Sequence, residues 1–171
     1  MNDRPSALPR QSSLGYQVNH LARLMAQALR ERMAPFGVVP GQFAQLLALY
    51  EQDGLSQREL CERVRIEQPT MANTLQRMER DGLIRRLPDP ADRRRAAVML
   101  TGRARKLEGD LVAVARSTNA EATRDIGDAE LATFMNTLSR IIDNLDAMPE
   151  RRSAGLAAGS TQGLSPPPPP E

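Results

Sequence analysis

Apolar side chains recur every three or four residues along most of the chain, and the places where that recurrence fails divide it into elements. From Ser13 to Ala34 the series Leu14, Val18, Leu21, Met25, Ala28 and then Arg32 or Met33 predicts one long amphipathic helix, ended by Pro35 and Gly37. Leu24 and Leu29 widen its apolar surface beyond one stripe, as expected of a helix that touches two neighbours. Pro40 and Gly41 open a second helix, Gln42 to Tyr50, with Phe43, Leu46, Leu47 and Tyr50 expected on its buried side and Asp53-Gly54 closing it.

A short helix then starts at Ser56, whose side chain stands three residues before Glu59, the spacing of a capping box that satisfies two otherwise unpaired amide donors. Its apolar positions Leu60 and Val64 lie one turn apart. Pro69 falls in the first turn of the next helix, Gln68 to Arg80, where its missing N–H costs nothing. Met71, Leu75 and Met78 form a single stripe there, and Thr70, Asn73, Thr74 and Arg77 are expected to point elsewhere, making a polar, hydrogen-bonding outer face. Asp81-Gly82 stops the helix, because glycine takes the left-handed conformation just past a C-terminus. Two helices joined by about four residues read as a helix-turn-helix, a pattern shared with ordinary packed helices.

The period then changes. Leu83 to Leu87 and Ala96 to Leu100 are short apolar-rich runs around Pro88-Asp89-Pro90-Ala91-Asp92, predicting a β-hairpin with Arg85 and Arg86 at its base and Arg93, Arg94 and Arg95 at its tip. Beyond it, Thr101 caps a helix expected from Arg103 to about Ile126, apolar at Leu107, Leu111 and Val114, until Gly127-Asp128 breaks it. Asp128 is expected to cap a last helix in which Leu131, Phe134 or Met135, Leu138, Ile141 or Ile142, Leu145 and Met148 approach a heptad seam. Residues 1–12 read as a flexible polar arm. Residues 149–171, with five consecutive prolines at 166–170, are too poor in apolar residues to pack. The fold class expected is mostly α with a small β-hairpin wing, a winged helix-turn-helix. One domain spans 13–148, with its lobe at about 40–101 and helices from both termini, about 13–35 and 102–148, serving dimerisation.

Charge changes the picture only when it is divided. Residues 54–106 hold thirteen Arg or Lys against seven Asp or Glu, whereas the rest of the chain holds ten against fourteen. Positive charge therefore sits with the helix-turn-helix and hairpin, as polyanion binding requires. All of the basic residues but Lys106 are arginine, the better fork for phosphate and guanine. There is no apolar run of membrane-spanning length, and the first ten residues lack the apolar core of a signal peptide, so a cytoplasmic protein is expected. A single Cys and a single His leave no ligand set for a metal site, and no phosphate loop or nucleophile elbow is present; the reading is a cofactor-free binding protein, not an enzyme.

In the string DPADRRRAAVMLT, Asp92, Arg94, Leu100 and Thr101 resemble the wing signature of the MarR family, Asp-x-Arg followed by five residues and Leu-Thr. The preceding RMERDGLIRR adds to the likeness, which covers roughly Ser13 to Met148. The resemblance implies that the helix Gln68 to Arg80 enters the major groove of double-stranded DNA, that Arg94 enters the minor groove, and that Asp92 orients the tip. It further implies a homodimeric repressor on an inverted-repeat operator, released by a small aromatic or phenolic acid. A DNA-binding regulator or architectural protein controlled by a protein partner is the alternative. The redox branch of the family carries its sensing Cys in the N-terminal helix; the one Cys here is Cys61, expected to pack inertly.

The side chains expected at DNA are Gln68, Thr70, Asn73, Thr74, Arg77, Arg86, Asp92, Arg93, Arg94 and Arg95. Asn and Arg suit bidentate contact with adenine and guanine, and a carboxylate beside Arg93 and Arg94 can fix a guanidinium before DNA arrives. Tyr16, His20 and Arg23, on one side of the first helix, are the expected polar contacts of an aromatic acid.

Overall fold

The computed structural model describes residues 9–88 and 96–148. The chain divides into two compact units at Arg124 and Asp125. The first begins with a short 3₁₀ turn, Arg10–Ser12, and helix α1, Leu14–Met33, capped by Ser13. A second 3₁₀ turn, Ala34–Phe36, leads through Gly37 into α2, Pro40–Glu51. Strand β1, Leu55–Ser56, and helices α3, Gln57–Val64, and α4, Gln68–Arg80, follow. Strands β2, Ile84–Pro88, and β3, Ala96–Leu100, precede α5, Gly102–Ala122. The second unit contains α6, Asp128–Asp146.

Local chemistry explains most of these boundaries. Ser56 and Glu59 form the reciprocal capping box: the Glu59 amide donates to Ser56 Oγ at 3.3 Å and the Ser56 amide donates to Glu59 Oε2 at 2.7 Å. At the end of α4, Gly82 sits at φ +68°, its amide bonds the Glu79 carbonyl at 3.0 Å, and the Leu83 amide bonds Met78 at 2.9 Å. This pair of bonds is a Schellman motif, which consumes the last carbonyls of the helix and redirects the chain into β2.

The sheet has three strands in the order β1-β3-β2, all antiparallel, with Ile84 opposite Leu100 and Leu55 opposite Val98. The hairpin expected from sequence is thus extended by a third strand too short to show a period. Pro88 is tolerated because β2 lies at the sheet edge, where a missing donor breaks no central ladder. Leu55, Ile84, Val98 and Leu100 turn one sheet face onto a core shared with Leu46 and Leu49 of α2, Leu60 of α3, Met71, Leu75 and Met78 of α4, and Leu111 of α5.

Three expectations need correction. Leu47 is 38% exposed, and Gln42 and Gln45 occupy buried positions of α2 instead. Gln42 can do so because its amide donates to Asp81 Oδ2 at 2.7 Å. Helix α5 stops at Ala122, short of Ile126, and Asp125 adopts φ +67°, a left-handed conformation that Asp accepts more readily than most residues. The N-cap of α6 is Gly127 rather than Asp128, which joins Glu130 in the first turn, where carboxylates complement the helix dipole.

Candidate nucleic-acid interface

Helices α3 and α4 meet through Leu60, Met71 and Leu75, all fully buried. The turn between them is made by Arg65 at φ +56°, followed by an Ile66 amide bonded to the Cys61 carbonyl at 3.2 Å. With the apolar stripe inward, Gln68, Thr70, Asn73 and Arg77 are exposed on α4. Thr74 is the exception. It is only 4% exposed, because it lies three residues after Met71 and four before Met78 and so shares their side of the helix. It does not belong to the polar outer face.

Two of the exposed side chains are held in place. Gln57, at the start of α3, donates from Nε2 to Gln68 Oε1 at 2.9 Å, a bond that engages the Gln68 oxygen and not its amide nitrogen. Arg77 Nε donates to the Asn73 carbonyl at 3.3 Å, one turn back. On β2, Arg86 is drawn toward α4: its amide donates to Glu79 Oε1 at 3.3 Å, and its Nε lies 3.7 Å from Glu79 Oε2. Arg85, its neighbour, is exposed. Glu79 and Gln57 escape a reading by helical period because each acts on a residue of another element. Asp92, Arg93, Arg94 and Arg95 lie outside the described residues.

Cys61 is buried, and burial, reinforced by the neighbouring Glu62 carboxylate, pushes its thiol pKa up, the direction opposite to that of a reactive thiolate. Tyr16, His20 and Arg23 form an exposed ladder on α1: the two rings stack at 6.1 Å and 8°, and Arg23 Nη2 donates to His20 Nδ1 at 3.3 Å. A separate crevice of about 340 Å³ opens between α1 and α5, walled by Leu21, Leu24, Met25 and Ala28, with Arg32 and Thr118 among its polar lining. None of the three ladder residues lines it, since they project from another side of α1. Arg32 bridges to Thr118 Oγ1 at 3.2 Å and pairs with Glu121. The hydrogen bond and charge of Arg32 hold the Glu121 carboxyl below its ordinary pKa.

A capped helix-turn-helix whose second helix turns amide, hydroxyl and guanidinium groups outward, followed by an antiparallel hairpin, defines a winged helix-turn-helix protein. The model of the MarR family matches residues 36–95, from the end of the second 3₁₀ turn to the residue before β3. Among solved structures, a MarR transcriptional regulator from Methanosarcina mazei Go1 is similar at 29% identity and a TM-score of 0.70, covering 79% of this chain and 98% of its own. The transcriptional repressor CouR, solved bound to a 23-mer DNA duplex, is similar at 25% identity and a TM-score of 0.70, covering 77% and 94%. A MarR-family regulator from Silicibacter pomeroyi aligns at 25% identity and a TM-score of 0.66, covering 83% and 96%. The chain has the winged helix-turn-helix fold, and over residues 36–95 it matches the MarR family of DNA-binding transcriptional regulators. No helix among the described residues is long and apolar enough to cross a membrane.

Proposed function

We propose that this regulator is a homodimeric repressor that reads an inverted-repeat operator through two copies of α4 and is released by a small aromatic acid. The observation that carries the reading is the exposed face of α4 on which Thr70, Asn73 and Arg77 stand together, with Gln68 exposed in the first turn of the same helix. Asn73 and Arg77 are suited to bidentate contact with adenine and guanine edges, and Gln68 and Thr70 to hydrogen bonds at the end of the helix that first meets DNA. Arg86 and the wing residues Arg93, Arg94 and Arg95 supply contacts to phosphate and the minor groove, with Asp92 fixing the tip. The repressor bound to a duplex among the similar structures supports the same mode.

Dimerisation is supported by apolar surface. Leu14, Val18, Leu21 and Leu24 on α1 and Phe134, Met135, Ile142 and Leu145 on α6 are all exposed in the single chain, more than a monomer's surface ordinarily carries. One α4 of 13 residues is about 20 Å long and covers a half-site only. On this reading α1, α5 and α6 serve dimerisation, and the segment 40–101 carries the reading helix.

For the inducer, the Tyr16–His20–Arg23 ladder offers stacked planar rings ending on a guanidinium, chemistry complementary to an aromatic carboxylate. The exposure of all three side chains favours a second reading, a regulator controlled by a protein partner with no small ligand. One experiment separates these. The full chain selects duplexes from a randomised pool, and salicylate is titrated into the complex with the selected site. An inverted repeat with half-site centres about one helical turn apart, bound by a dimer and weakened by millimolar acid, supports the proposal. A single asymmetric half-site bound by a monomer overturns the dimeric reading, and a binding curve indifferent to the acid leaves the partner-controlled regulator.

A further inference from the structure

The first turn of α5 carries two arginines that reach different parts of the lobe. Arg103 donates from Nη1 to the Asp81 carbonyl at 2.6 Å and from Nη2 to the Phe36 carbonyl at 2.8 Å. Asp81 is the C-cap of α4, and Phe36 ends the 3₁₀ turn that continues α1. One guanidinium therefore joins the start of α5, the end of α4 and the end of α1. Carbonyls at helix C-termini lack the intrahelical donors of the interior, and the helix dipole favours a cation beside them. Arginine's planar fork spans two such acceptors at once, whereas lysine presents a single compact charge.

The surroundings are shaped to this side chain. Gly37 stands at φ +67°, and a Cβ there would lie 2.8 Å from Arg103 Nη2, so glycine supplies both the backbone conformation and the room. The carboxylate of Asp81 is fixed by Gln42, which is 3% exposed and accepts in turn from the Val39 amide at 3.3 Å. Thr101 donates from Oγ1 to the Gly82 carbonyl at 2.8 Å, and its amide bonds Leu83 at 3.0 Å. Arg105, two residues on, pairs with Asp53, whose other oxygen accepts from the Leu100 amide at 2.9 Å and the Gly54 amide at 3.0 Å. The C-terminal end of the reading helix is thus tied to α2 and to α5 by side chains that touch its cap.

We propose that Arg103 is a positioning residue for DNA binding: it sets the placement of α4 relative to α1 and α5, and with it the fraction of molecules whose reading helix is ready for the groove. The inference rests on α4 being the reading helix. Arg103 acts at the far end of α4 from Gln68, about 20 Å away, so its influence on base contacts runs through the angle of the helix. Two heads must fit two half-sites at one fixed separation, so a small tilt at each cap misplaces both.

The test compares Arg103→Met and Arg103→Lys with wild type, and includes Arg77→Ala as a probe of α4 itself. Fluorescence anisotropy is read over a range of salt on a duplex selected by the wild-type protein and on random duplex, with thermal melts of each variant. Arg103→Met is expected to weaken the selected duplex about tenfold, as when the competent fraction falls to about a tenth. Binding to random duplex and the slope of log K against log salt stay unchanged, because no phosphate contact is lost. Arg103→Lys falls between the two, since an ammonium restores the charge but holds one carbonyl. If Arg103→Met does not fold, the intermediate loss and unchanged slope of Arg103→Lys decide. A slope that drops by about one makes Arg103 a direct phosphate contact and overturns the positioning role, as does wild-type affinity. Should Arg77→Ala weaken binding while Arg103→Met does not, only the positioning role falls; should Arg77→Ala bind normally, the reading of α4 falls and this inference with it.

Discussion

Tyr50→Phe isolates a single polar tie between the lobe and α5. The Tyr50 hydroxyl, in the last turn of α2, donates to the carbonyl of Ala104 at 2.9 Å, and Ala104 is fully buried in the first turn of α5. Within α5 that carbonyl keeps its place in the helical ladder, so removing the hydroxyl strips no acceptor bare. The expected loss is that of an ordinary hydrogen bond, about 0.5–1.5 kcal/mol. Burial first, and the carboxylate of Glu108 second, push the tyrosine pKa up from 10.0 to about 12. The fold therefore favours the neutral phenol, and the stability linked to it is fully present below pH 10 and is lost as pH rises toward 12. A shift of two units corresponds to at most about 2.7 kcal/mol, and solvent reaching a ring that is only partly buried reduces this to about 1. Urea unfolding followed by circular dichroism at several pH values between 7 and 11.5 is the assay. Every other titratable group is common to the two proteins and cancels in the difference between them. Wild type should exceed Tyr50→Phe by about 1 kcal/mol at neutral pH, and the gap should close above pH 10. A gap of constant size across the whole range would refute the burial argument, and no gap at pH 7 would refute the hydrogen bond.

Arg77→Ala should cost about 1–3 kcal/mol on the selected duplex and much less on random DNA, as for a side chain that reads bases. Arg94→Ala should weaken both more evenly and flatten the salt dependence by about one unit of slope; equal, salt-independent losses for the two variants would remove the division between reading helix and wing. Ser56→Ala should lower stability by about 1 kcal/mol in urea unfolding, with Glu59→Ala adding little on top because each partner of the capping box needs the other. Leu75→Ala, at a position with no exposure, should lower stability by about 2–5 kcal/mol, and a loss under about 1 would mean that the core of α4 packs otherwise.

Where α3 and α4 begin and end was legible in the chain itself, because caps act within one turn. Ser56 with Glu59, Pro69, and Asp81 with Gly82 each place a donor, a missing donor or a left-handed residue next to the backbone groups they serve, so α3 and α4 follow from spacing alone. The stripe of Met71, Leu75 and Met78 likewise follows from the helical period, and all three are fully buried. Which polar residues share the inward side was not legible from that stripe. Thr74 and Leu47 were misplaced because a buried arc is as wide as the neighbours that cover it, and only packing sets that width.

The long-range ties lay beyond the sequence for a related reason. Strand β1 is two residues long, too short to show alternation, and exists because β3 offers it an edge. Tyr16, His20 and Arg23 share a helix face by spacing, yet whether that face or the one lined by Leu21, Leu24 and Met25 meets a crevice depends on how α5 crosses α1. Gln57 on Gln68, Glu79 on Arg86, and Arg103 on Asp81 and Phe36 join different elements, the last across 22 and 67 residues of chain. Local spacing determines what each helix can present; the placement of helices against one another decides which of those groups meet, since side-chain hydrogen bonds fail within a few tenths of an ångström and no periodicity carries that precision.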